Sequence, residues 1–141
     1  MKLENQVVNL ELSKKLKELG VKQESLFYWC ERTVTGSKTY KEFFLQEKIY
    51  VEPYPNIISA FTVAELGEML PNTIRKNEKD YFLNCYFSPL SSDGGTDFEV
   101  SYESGDDKTL AYISNEPNDM IESEANARAK MLIYLLENKL L

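Results

Sequence analysis

Between Asp80 and Ser114 the chain carries three short, largely apolar segments separated by turn residues, and this run constrains the fold more than any other feature. In Asp97–Glu103 the alternation is clean, with Phe98, Val100 and Tyr102 on one side and Asp97, Glu99, Ser101 and Glu103 on the other. A period of two is the mark of a half-buried strand. In Asp80–Phe87 both alternating sets are mostly apolar: Tyr81, Leu83, Cys85 and Phe87 against Phe82 and Tyr86. That pattern predicts a central strand covered on both faces. Thr109–Ser114 supplies a third strand. The stretches Ser91-Ser92-Asp93-Gly94-Gly95 and Ser104-Gly105-Asp106-Asp107 are rich in turn residues and connect the segments as an antiparallel meander.

Helices are signalled before and after the meander. Leu12, Leu16 and Leu19 recur at helical spacing behind Asn9, a suitable N-cap, with Glu11 in the first turn. Gly20 is placed to end that helix in the left-handed conformation, with Val21 folding back on Leu16. Thr62-Val63-Ala64-Glu65 fits a capping box, Phe61 and Leu66 fit the hydrophobic staple across it, and Pro71 closes a short helix. A last helix is expected to begin between Asn118 and Ser123 and run to about Glu137, with Ala125, Ala129, Leu132, Ile133, Leu136 and Leu140 as its apolar stripe. Ser25–Thr33 and Tyr40–Leu45 read as a strand and its partner around Gly36-Ser37-Lys38, and Pro53 and Pro55 predict an extended connection over 46–58. Together these elements predict an α+β fold in one domain spanning 1–141: an antiparallel sheet of about four to five strands packed by three helices.

Composition places the chain among globular proteins, with 43% hydrophobic and 12% aromatic residues in 141. No apolar run is long enough to span a bilayer, and the first residues lack the apolar core of a signal peptide, so neither membrane nor export is expected. Cys30 and Cys85 both lie in strand-like runs and are expected to be reduced core thiols, which points to a cytoplasmic setting. The formal net charge of −7 is unevenly spread. Residues 1–90 balance 12 basic against 12 acidic side chains, whereas residues 91–124 carry ten acids against Lys108 alone. Such a surface repels phosphates, so direct nucleic-acid binding is not expected.

The same sequence limits the chemistry available. It contains no histidine, which removes the commonest general base and the commonest metal ligand. Two cysteines far apart do not form a zinc site, and no glycine-rich phosphate loop or nucleophile elbow is present, so an ordinary enzyme and a bound cofactor are not expected. Two groups of residues remain as candidates for binding. Asp97, Glu99 and Glu103 project to one side of a strand, with Asp106 and Asp107 in the next turn. They fit a solvated face that discourages edge aggregation, a divalent-cation cluster, a glycosidase-like pair, or a surface mimicking a phosphate backbone. The second group is Tyr40, Phe43 and Phe44 with Tyr50 and Tyr54, which fits core packing beneath the long connection or an aromatic partner surface.

Three blocks, Leu16–Trp29, Ser59–Pro71 and Ala127–Asn138, resemble small bacteriophage- and prophage-encoded proteins of uncharacterised role, some of them similar to the phage αβα-sandwich type. The resemblance implies a bacterial or phage setting and an α-over-β-over-α arrangement. It covers helix caps and core positions and brings no catalytic or binding residues with it. On this basis the expected role is a non-enzymatic accessory protein that binds another protein. An acidic inhibitor occupying the nucleic-acid groove of a host or defence enzyme and a carboxylate-based hydrolase or metal-binding protein are the alternatives.

Overall fold

The computed structural model describes residues 3–52, 54–89, 96–106, 108–113 and 123–141, with the main chain alone at 87–89 and 96–97. The chain enters through a short 3-10 turn, Leu3–Asn5, and places Val7 and Val8 beside Phe61 and Thr62, where the Val8 amide donates to the Phe61 carbonyl at 2.9 Å. Helix α1 (Leu10–Glu18) starts on Asn9, whose side chain accepts from the Leu12 amide. It ends as expected: Gly20 takes φ +83°, and the Val21 amide donates to the Leu16 carbonyl at 3.1 Å. Leu16 thereby packs fully buried.

Strands β1 (Phe27–Val34), β2 (Tyr40–Glu47) and β3 (Ile57–Ser59) form an antiparallel sheet in the order β2-β1-β3. β3 was not legible in the sequence, because three residues beyond a proline-containing connection carry no periodicity. On one face of this sheet the Trp29 indole donates to the Val8 carbonyl at 2.9 Å, at the approach to α1. On the opposite face Tyr28 and Cys30 are buried, and Tyr54 meets Phe44 edge-on with ring centroids 5.0 Å apart. The long connection thus returns over this second face after a single turn of 3-10 helix, Lys48–Tyr50.

Helix α2 (Val63–Met69) has the full capping box, Thr62 accepting from the Glu65 amide and Glu65 accepting from the Thr62 amide. Phe61 and Leu66, the staple pair, are both fully buried. The second sheet contains β4 (Thr73–Lys76), β5 (Lys79–Pro89), β6 (Thr96–Glu103) and β7 (Thr109–Ile113), antiparallel and in sequence order. β4 is an addition to the expected meander. Its two-residue turn is formed by Asn77 and Glu78, both at positive φ (51° and 63°). That geometry favours Asn-Gly, and the glutamate hid the hairpin. A bulge between Tyr102 and Glu103 shifts the β6–β7 register.

Helix α3 (Glu124–Glu137) starts on Ser123 and is buried on several sides, Ala125, Ala127, Ala129, Met131, Leu132, Ile133 and Leu135 all being buried. The reason is its neighbours: α3 packs on β6 and β7 and also on α1 and α2, while α1 packs on β3. Small side chains in its first half admit that close approach. Gly67 of α2 lies under it, where an added methyl carbon would stand 3.2 Å from the Arg128 guanidinium.

The α+β class, with antiparallel strands packed by three helices, is as expected. The sandwich differs in detail. The strands divide into sheets of three and four instead of one sheet of four to five, and the helices are shared between them. β5 has α3 beneath its sheet, but its outward residues Phe82 and Tyr86 are exposed, so it is not covered on both faces. Cys30 and Cys85 are free thiols, and Cys85 is exposed instead of lying in the core. Among the described residues no helix is long and apolar enough to cross a membrane.

Candidate interaction surface

The register of the four-stranded sheet determines which side chains share a face. Leu83 stands opposite Tyr102 and Cys85 opposite Val100, and this set faces α3. The intervening residues make the outer face: Phe82 opposite Glu103, Asn84 opposite Ser101, and Tyr86 opposite Glu99 on β5–β6, with Tyr112 opposite Ser101 on β7. Three of these are large and half exposed, Phe82 at 52%, Tyr86 at 51% and Tyr112 at 51%. Ser101 at their centre is fully buried, its hydroxyl donating to the Glu103 carboxylate at 2.7 Å. The Asn84 amide reaches the other Glu103 oxygen at 3.4 Å. Glu103 is therefore held by neutral donors, and Glu99 has no hydrogen-bond or ion-pair partner among the described residues.

The acidic candidates separate into different environments. Glu99 and Glu103 lie on this outer face, and the main chain of Asp97 pairs with Ser88 on the same strand pair, its side chain falling outside the described residues. Asp106 instead locks the β6–β7 turn. It pairs with Lys79 and lies 3.8 Å from Lys108, and it accepts from the Ser104 hydroxyl. The Lys79 hydrogen bond, with the Ser104 bond next, holds its carboxyl down at about 2. Lys79 is raised in turn by Asp106. Asp107 lies outside the described residues. A divalent-cation cluster finds no footing among the described residues, where no group of three potential ligands converges. Glu99 and Glu103 are four residues apart on one strand, about 13 Å along the chain, more than the roughly 5–9.5 Å between paired glycosidase carboxyls.

The aromatic candidates do not assemble into one patch. Phe43 and Phe44 are neighbours on β2 and so point to opposite faces of their sheet. Lys14 stands 4.8 Å over the Phe43 ring, and Arg32 stands 4.9 Å over Phe44. Tyr40 and Tyr50 are exposed on the same sheet's surroundings, while Tyr54 packs on Phe44. Of the aromatics that do share an open face, Phe82 and Tyr86 belong to a strand expected to be covered on both sides, and Tyr112 to a strand whose faces the sequence pattern leaves unassigned. A signal was present: Asp80, Phe82, Asn84, Tyr86 and Ser88 alternate polar with aromatic along one face, which fits an outward face better than a buried one.

Burial pushes the thiols of both Cys30 and Cys85 up, and Arg128 only partly opposes this at Cys85. Burial likewise pushes the Tyr102 hydroxyl up to about 12, where it donates to the Pro71 carbonyl at 2.6 Å. No known family, no characterised protein and no solved structure matches this chain.

Proposed function

We propose that this chain is a non-enzymatic accessory protein of the phage or prophage type, cytoplasmic in its bacterial host, that binds another protein through the open face of its four-stranded sheet. One observation carries this: three aromatic side chains, Phe82, Tyr86 and Tyr112, stand about half exposed on a single sheet face. Aromatic side chains grouped on an open surface are the usual anchors of protein interfaces, since each buries a large area with little loss of rotamer freedom. The phage or prophage origin rests on the resemblance of the three sequence blocks alone.

Affinity capture from the host with wild type, a Phe82→Ser/Tyr86→Ser double variant and a Tyr40→Ser control tests the proposal. The expected result is a protein retained by wild type and by the control and lost by the double variant. Capture indifferent to the double variant, or turnover of a substrate abolished by Asp or Glu exchange, would overturn it. The acidic-inhibitor alternative is favoured by Glu99 and Glu103 lying on the same face. It requires the captured protein to be a nucleic-acid enzyme whose binding is competed by its own substrate and weakens steeply with salt.

A further inference from the structure

The two exposed rings of β5 each stand directly across from a carboxylate of β6: Phe82 from Glu103 and Tyr86 from Glu99. Directly opposed residues on one face of an antiparallel pair have their β-carbons about 5 Å apart. Ring and carboxylate therefore form a unit, and four residues of strand, about 13 Å, separate its two occurrences. A planar cation satisfies such a unit best, because a guanidinium stacks on an aromatic face while its edge bonds a carboxylate.

The chain makes this contact within itself on the other sheet. Arg32 stands 4.9 Å over the Phe44 ring and pairs through the same guanidinium with Glu42 at 2.5 Å. Glu42 and Phe44 are two residues apart on β2, so that unit is occupied internally. Among the described residues no cation stands over Phe82 or Tyr86. Glu103 is already oriented by the Ser101 hydroxyl and the Asn84 amide, both neutral, which leave its charge uncompensated.

We propose that this face receives a protein segment bearing two arginines whose guanidinium groups lie about 13 Å apart, one on Phe82–Glu103 and one on Tyr86–Glu99. The inference rests on the protein-binding reading above and names the chemistry of the partner. In an extended segment the spacing corresponds to arginines at i and i+4.

The probes are soluble Thr/Gln peptides carrying two arginines at i and i+4, with three controls: arginines at i and i+2, lysines at i and i+4, and citrullines at i and i+4. Each is titrated into the ¹⁵N-labelled full chain, and amide shifts are followed at low and high salt. The expected result is shifts concentrated at 82–86 and 99–103, with the i,i+4 arginine peptide at least roughly tenfold tighter than the citrulline peptide. It is also expected to bind several-fold tighter than the lysine and i,i+2 peptides and to weaken with salt. Glu99→Gln, a conservative exchange on an exposed strand face, is expected to remove most of the preference for arginine over citrulline without moving the melting midpoint. Equal binding of citrulline, equal binding at i,i+2, or shifts elsewhere in the chain would each overturn the proposal. If the cellular partner is lost from the Phe82→Ser/Tyr86→Ser variant while no arginine peptide binds, the protein-binding proposal stands and the arginine chemistry falls.

Discussion

Lys139 closes α3 in the left-handed conformation at φ 54°, with the Leu140 amide donating to the Leu135 carbonyl at 2.9 Å. The same arrangement at the end of α1 uses Gly20, so one chain holds both versions of one helix ending. A β-carbon in that conformation costs about 1 kcal/mol, and Lys139→Gly is expected to recover about that much, raising the melting midpoint by about 3 °C. An unchanged or lowered midpoint in a thermal scan would mean that the Lys139 side chain contributes more than the strain it causes. Asp106 provides a pH test at the same scale. Its folded value of about 2 lies below the ordinary 3.8, so its stabilisation is complete above the latter and is lost as pH falls towards the former. Asp106→Asn is expected to flatten the acid limb of the melting profile over that window. An identical acid limb in the variant would remove the turn-locking role.

Glu65 connects two elements through one carboxylate. Besides closing the capping box of α2, it accepts from the Ser25 hydroxyl at 3.1 Å and from the Leu26 amide at 3.0 Å, just before β1. Glu65→Ala is therefore expected to cost about 2–3 kcal/mol in urea denaturation, against about 1 kcal/mol for Thr62→Ala, which removes only a cap. Equal costs would mean that the link from α2 to β1 contributes nothing. The capping box was legible in the sequence because it is local, four consecutive residues satisfying one another. Its second function was not, because Ser25 and Leu26 lie 40 and 39 residues away in the chain. The same division separates the elements themselves. α1, with its Asn9 cap and Gly20 ending, could be read directly, while β3 and β4 exist because neighbouring strands offer them hydrogen bonds.

At the scale of the molecule, α3 is the shared wall between the four-stranded sheet and the other two helices, and loss of volume there should be felt throughout. Met131→Ala is expected to cost about 2–5 kcal/mol. The Phe82→Ser/Tyr86→Ser pair lies on the uncovered face and is expected to cost only about 1 kcal/mol, mainly in cross-strand contacts. Comparable losses in the two cases would mean that the outer face is part of the core. By itself the sequence determined the caps, the helical stripes and the alternation of β6, because each depends on residues a few positions apart. It also placed the negative excess near the C-terminal third, on Glu99 and Glu103 among others. It marked the solvent face of β5 only through Asp80, Asn84 and Ser88, since Phe82 and Tyr86 between them are as apolar as Tyr81 and Leu83 on the other side. Only the tertiary structure left those two rings uncovered: α3 can lie against one face of the sheet, and the register then sets the remaining aromatics beside the carboxylates of β6.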